Sequence, residues 1–207
     1  MTHDSSHPNR LRQVRTLLWL LVLLAIIGAA ALLIYPRLQT RSSDNATKET
    51  TFGGPFTLVG GDGKPFSSQA LEGKPYAVYF GFTRCGDVCP TTLSRLVKLR
   101  RQAANDQAMR IVFVTIDPAH DGPKEVGQYA DLFGAPIIGL TGTQPEIDRV
   151  KKQYGIYAEP VPHAAMGKEM MHTATVLLFD RAGRFEGTIG PDDSDATALA
   201  KIKALVA

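Results

Sequence analysis

The sequence predicts a mixed α/β domain behind an N-terminal transmembrane helix. Three observations predict it. Strand-like runs rich in aromatic and β-branched residues alternate with segments of helical period. The chain closes on a hairpin signal followed by a capped helix. One uncharged apolar run of membrane-spanning length stands near the start.

That run is Leu17 to Tyr35 ("LLWLLVLLAIIGAAALLIY"), 19 residues that Thr16 extends by one. An α-helix needs about 20 such residues to cross the hydrocarbon core. Arg10, Arg12 and Arg15 precede it and Pro36 ends it. The positive-inside rule then makes residues 1–15 a cytoplasmic tail, 16–36 a single-pass anchor in the inner (cytoplasmic) membrane, and the remainder a periplasmic part. A cleaved secretory signal is the alternative, because Ala29-Ala30-Ala31 offers a small-residue cleavage site, although the apolar run continues past it through Ile34. Either way the bulk of the chain is exported. No cysteine follows the run closely, so lipoprotein attachment is not expected.

The formal net charge is +3, and Arg10, Arg12, Arg15 and Asp4 place +2 of it in the tail. The exported part is therefore nearly neutral, without a basic run or a basic–aromatic patch, and no nucleic-acid partner is expected.

Residues 37–54 ("RLQTRSSDNATKETTFGG") are polar and aperiodic, a linker. Residues 55–207 suit one domain with a sizeable core. In "PFTLVGGDGKPFSS" two short strands flank the turn Gly60-Gly61-Asp62-Gly63, and Tyr76 to Phe82 ("YAVYFGF") reads as a buried strand. Thr91 to Arg101 carries a helical apolar stripe at Leu93, Leu96, Val97 and Leu99, with Pro90 suited to the first turn. Arg110 to Ile116 ("RIVFVTI") is a strand that ends in the turn Asp117-Pro118. Pro123 to Phe133 and Pro145 to Tyr154 read as helices around a short strand at Ile137 to Leu140. Glu159 to Met171 reads as irregular. Thr173 to Asp180 and Arg184 to Ile189 flank Ala182-Gly183 as a hairpin, and Ser194 is placed to cap a last helix to about Val206. This order, β-α-β, further helices, then β-β-α, is that of a thioredoxin-like fold.

Only two cysteines occur, Cys85 and Cys89, four residues apart in "YFGFTRCGDVCPTTLSRL" where the strand 76–82 gives way to the helix. The pair is a disulfide, a redox couple or part of a metal site. Unpaired N–H groups at a helix N-terminus favour anions, so a Cys89 thiolate should form more easily than in a free peptide. In regular helix this separation leaves Cβ atoms about 5–6 Å apart, too far for an unstrained disulfide. In a loop ahead of the helix, with Gly86 allowing unusual dihedrals, the sulfurs can approach each other or both face a small ion. Thioredoxin-type oxidoreductases place two residues between their cysteines, whereas "CGDVC" has three. Phe82 stands where a peroxiredoxin motif needs threonine. Two thiolates favour Cu(I), and zinc also fits; both accept imidazole as a further ligand. His3 and His7 lie across the membrane, which leaves His120 in "IDPAHDGP", His163, and His172 ahead of the strand 173–180.

With "GFTRCGDVCPTTL" (81–93), "VTIDPAHDGP" (114–123), "GLTGT" (139–143), "MHTATVLLFDRAG" (171–183) and the N-terminal anchor, the chain resembles the Sco/SenC family of membrane-anchored, copper-binding cytochrome c oxidase assembly factors. The resemblance covers essentially the whole exported domain. It implies Cys85, Cys89 and His172 as ligands of a copper ion, Cu(I) or Cu(II), on a thioredoxin-like scaffold. It also implies the copper-bearing subunit of cytochrome c oxidase as partner, with other periplasmic copper chaperones or thiol reductants as further partners. Two positions depart from the family pattern. Gly86 stands where proline often follows the first cysteine, and Met171 where an acidic residue often precedes the histidine and would orient its imidazole.

Asp117 and Asp121 frame the "DPAHD" loop, either as a plain Asp-Pro turn or as an acidic lip beside the copper loop. Met166, Met170 and Met171 offer soft thioethers for a transient copper contact, or ordinary apolar contacts. The function expected is a metallochaperone rather than an enzyme, loading the binuclear copper centre of the oxidase. A thiol–disulfide reductase that keeps the oxidase copper-site cysteines reduced is the alternative, with Cys85 and Cys89 its redox pair. A peroxidase lacks its motif, and a purely structural disulfide would close so small a loop that it adds little.

Overall fold

The computed structural model describes residues 14–15, 17–24, 52–160 and 170–207, with the backbone alone over 159–160 and 170–172. The chain divides into two units, Met1–Thr50 and Thr51–Ala207. In the first, the described residues form an exposed helical segment, α1 (14–15 and 17–24). Among the described residues no helix is long and apolar enough to cross a membrane; residues 16 and 25–36 of the expected anchor lie outside them.

The second unit is built on a seven-stranded mixed sheet in the order β2-β1-β5-β4-β3-β8-β9. Its strands are β1 (Thr57–Gly60), β2 (Pro65–Ser67), β3 (Tyr76–Gly81), β4 (Arg110–Thr115), β5 (Ile138–Thr141), β8 (Val176–Phe179) and β9 (Phe185–Ile189). A separate pair, β6 (Ala158–Pro160) and β7 (Met170–His172), forms a second sheet. Helices α2 (Val88–Ala103), α3 (Pro123–Asp131), α4 (Gln144–Gln153) and α5 (Asp195–Val206) complete it.

β3 is central because all six of its residues are buried, which suits an aromatic and β-branched run with both faces covered. It pairs in parallel with β4, from Tyr76↔Arg110 to Gly81↔Thr115, and β4 pairs in parallel with β5. Both parallel crossovers carry a helix, as parallel pairing demands. β8 runs antiparallel to β3, Tyr76↔Phe179 to Val78↔Leu177, so β8 begins at the end of the sheet where β3 finishes. The hairpin β8–β9 turns at Gly183, whose φ of 76° lies in the left-handed region open to glycine.

The helix ends follow sequence chemistry. Ser194 Oγ accepts from the Thr197 N–H to start α5, and Thr143 with Glu146 forms a reciprocal capping box on α4. α5 packs on α2, and Arg95 Nε reaches Asp195 at 2.7 Å across that contact. Buried Arg100 donates to the carbonyls of Met109 and Pro136 and to Asp106, so its charge is paired where it leaves water.

Two local readings are corrected. α2 starts at Val88, two residues before the expected start near Pro90, and Cys89 lies in its first turn rather than in the preceding loop. Pro90 remains acceptable there because first-turn N–H groups have no intrahelical partner. The segment read as irregular contains two strands, and His172 ends β7 instead of standing just outside a strand. Residues 161–169, including His163 and Met166, lie outside the described residues.

Candidate metal centre

Three segments meet at one end of the sheet. The loop after β3 carries Cys85, and α2 follows with Cys89. The loop after β4 lies beside it, because the Ile116 N–H donates to the Gly81 carbonyl at 2.8 Å. The third segment leads from β7 to the start of β8. Ala174, two residues beyond His172, lines a small cavity together with Thr92, less than one turn beyond Cys89.

Cys85 is half-buried and Cys89 is fully buried, and no disulfide joins them. The chain turns back at Cys85, whose N–H donates to the Phe82 carbonyl at 3.2 Å. The Cys89 N–H then points at Cys85 Sγ at 3.4 Å. This N–H at the head of α2 is directed at the sulfur of Cys85, not of Cys89, and the expected easy ionisation of Cys89 is corrected accordingly. Burial, reinforced by the hydrogen bond with Cys85, pushes the Cys89 thiol up to about 12, against weaker opposing bonds from the Phe82 backbone and Tyr79. Burial, followed by the nearby Cys89 and Cys85 sulfurs, also raises the phenols of Tyr79 and Tyr129 above their ordinary range.

The backbone beneath Cys89 is shaped for it. A Cβ on Gly81 would stand 2.9 Å from Cys89 Sγ and 3.1 Å from both the Phe113 and Tyr79 rings. Sequence reasoning missed this residue, although an isolated glycine inside a strand signals close approach. Gly86 needs no glycine: it is not among the positive-φ glycines, and an added Cβ would meet nothing within 4 Å. The expected role of Gly86 in permitting unusual dihedrals is therefore dropped.

Asp121 is fully buried, not a lip. Its carboxylate accepts from Thr83 N–H at 2.9 Å, Thr83 Oγ1 at 2.5 Å and Thr115 Oγ1 at 2.6 Å. Its own carbonyl accepts from Thr141 Oγ1 at 2.6 Å. One side chain thus ties the cysteine loop to β4, and its carbonyl ties the same point to β5. No local signal links Thr83 to a residue 38 positions on. Asp117 forms the outer tie, receiving Arg84 Nη2 at 2.5 Å and His120 Nδ1 at 2.9 Å. Burial is the largest influence on its carboxyl and would raise it. The bonds from His120 and Arg84 together prevail and hold it below the usual range.

Replacing Asp121 by alanine leaves the Thr83 N–H and two hydroxyls without an acceptor in the interior. Asp121→Ala is expected to lower stability by about 3 kcal/mol, read as a lower urea midpoint at unchanged slope. An unchanged midpoint would mean that the loop is held by other means.

His172 is placed by its backbone. It pairs with Ala158 in the β6–β7 register, and the next residue, Thr173, donates its N–H to the Tyr157 carbonyl at 3.0 Å. Its side chain, like those of Met170 and Met171, lies outside the described residues. Among the described residues no three His, Cys, Asp or Glu side chains gather as a metal site. The two thiols are soft donors, one on the loop after β3 and one in the first turn of α2, a set that suits Cu(I).

The sequence profile of SCO1/SenC matches residues 44–207. The mitochondrial protein SCO2 of Saccharomyces cerevisiae is 32% identical over 173 residues, which cover 80% of this chain but only 58% of that protein's own length. The structure of Bradyrhizobium japonicum ScoI with copper bound superposes with a TM-score of 0.67 at 35% identity, covering 75% of this chain and 99% of that one. BsSco, a member of the Sco family of cytochrome c oxidase assembly proteins in which a disulfide switch has been identified, superposes with a TM-score of 0.59 over 75% of this chain and 94% of that one. At 21% identity that likeness is one of fold.

Proposed function

The chain belongs to the SCO1/SenC family, and on that premise we propose that it is a membrane-anchored chaperone that delivers copper to the binuclear centre of cytochrome c oxidase during assembly. Copper is cargo in this reading, held by Cys85, Cys89 and His172 in the domain 55–207. The linker 37–54 spaces that domain from the anchor 16–36 and tail 1–15, with the domain on the periplasmic side of the inner membrane. The copper-bearing oxidase subunit receives the ion, and other periplasmic chaperones or thiol reductants serve the site.

One observation carries the reading most: a half-buried sulfur and a buried sulfur lie on one turn, with the Cys89 N–H aimed at Cys85 Sγ. Cu(I) arriving from solvent meets Cys85 first and Cys89 second, and each thiol gives its proton to water as it ligates. On delivery, thiolates of the receiving subunit displace Cys85 and then Cys89. The high proton affinity of buried Cys89 helps release, because the departing metal is replaced by a proton. A site with few ligands permits such exchange, whereas a closed four-ligand cage opposes it.

The second reading, a thiol–disulfide reductase, is favoured by the same asymmetry. Cys85 thiolate attacks a target disulfide, a mixed disulfide forms, and Cys89 resolves it, leaving two target thiols and a Cys85–Cys89 disulfide. His172 has no part in that chemistry. Cu(I) titration of the reduced full chain against a competing chelator tests the ligand set. One copper per chain is expected, with affinity at least about tenfold weaker in His172→Ala, or about 1.4 kcal/mol. Equal affinity removes His172 from the set.

A further inference from the structure

The loop after β4 holds a histidine that the ligand set above leaves unused. His120 is 55% exposed, and its Nδ1 stands 2.9 and 3.0 Å from the two carboxylate oxygens of Asp117, which is only 13% exposed. A carboxylate only accepts, so Nδ1 is the donor in this contact, and Nε2 is the nitrogen whose lone pair a neutral ring offers to a metal. An imidazole oriented in this way by a carboxylate is the arrangement that metal-binding histidines use. Arg84 also reaches this carboxylate, at 2.5 Å.

The same contact fixes where this imidazole is. Arg84 directly precedes Cys85, so Asp117 joins His120 to the cysteine loop through a single carboxylate. Behind it, the Thr83 N–H bond to Asp121 holds the two loops side by side.

We propose that His120 is a transit ligand for Cu(I), at which the ion docks before reaching the cysteine pair and through which it leaves. The inference rests on the copper reading of Cys85 and Cys89. No electron moves in the transfer. The Nε2–Cu bond breaks as the Cys85 S–Cu bond forms and the Cys85 proton passes to water; the Cys89 S–Cu bond follows with loss of its own proton. Release runs through the reverse exchange. As a transit ligand, His120 alters the rates of loading and unloading together and leaves their ratio alone.

The test uses the reduced full chain in detergent and the coloured Cu(I)–bicinchoninate complex as donor, with transfer followed by loss of colour in stopped flow. His120→Arg is the decisive variant, because arginine keeps an ion pair with Asp117 but has no lone pair for a metal. Loading and unloading rates are expected to fall about tenfold in His120→Arg, with the equilibrium affinity within about threefold of the parent. If the residue served only to brace the loop, the arginine variant would load as fast as the parent. Rates within about twofold, or an affinity that falls with the rate, overturn the transit ligand. If the parent takes one copper and the variant keeps pace, this inference alone falls. If the parent takes none, the copper reading falls with it.

Discussion

Oxidation of Cys85 and Cys89 to a disulfide is expected to abolish copper binding, with one Cu(I) retained by the reduced chain and none by the oxidised chain. Both sulfurs of the set are consumed, because forming the S–S bond releases two protons and two electrons and leaves no thiolate to donate. The turn at Cys85 brings its sulfur to 3.4 Å from the Cys89 N–H, so both cysteines belong to one local stretch of chain. Copper-to-protein ratios after gel filtration, with and without prior oxidation, give the result. Equal uptake by both forms would move the site away from the cysteines, and the segment 163–172 with its histidines and methionines would be the next candidate.

Copper affinity is expected to climb with pH across the neutral range. Cys89 has its thiol pushed up from 9.0 to about 12 by burial, so it is protonated when copper arrives and must give up that proton. Displacing one proton makes the apparent affinity rise about tenfold per pH unit, and a second displaced proton would steepen it further. The effect on stability has the opposite sense. The folded value lies above the unfolded one, so the protonated thiol contributes stability that is fully present below about pH 9 and is lost as pH rises towards 12. The copper-free chain is thus expected to weaken at alkaline pH, where copper is held most tightly. Chelator competition between about pH 6 and 8 measures the slope; a flat profile would contradict ligation by the buried thiol.

The parts of this architecture that were legible in the sequence are those set by local chemistry. The run Tyr76–Gly81 could only be a covered strand, Ser194 could only begin a helix, and the Ala182-Gly183 turn announced its hairpin. The pair β6–β7 was not legible, because Pro160 and the sequence Met170–Met171–His172 show no alternation, and their pairing with each other is what makes them strands. At the site, the cysteine spacing and the family resemblance pointed to the thiols, and the structure places them on one turn. Their protonation was misread because a helix terminus was weighed without burial: with Cys89 inside, loss of water outweighs the local N–H groups. Asp121 read as an exposed turn residue because its partners, Thr83, Thr115 and Thr141, come from three separate strand ends.

The claim that this chain carries copper, rather than only electrons for thiols, turns on His172, which ends β7 four residues before β8 begins. Cys85→Ser and Cys89→Ser disable both a chaperone and a reductase and so separate nothing. His172→Ala removes an expected copper ligand and leaves both thiols in place. The direct measurement is oxidase activity and oxidase copper content in cells whose only copy is His172→Ala, grown at limiting external copper. The chaperone account predicts an oxidase short of copper and low in activity, restored in part by added copper. Full assembly with parental copper content would contradict it and favour the thiol reductase in its place.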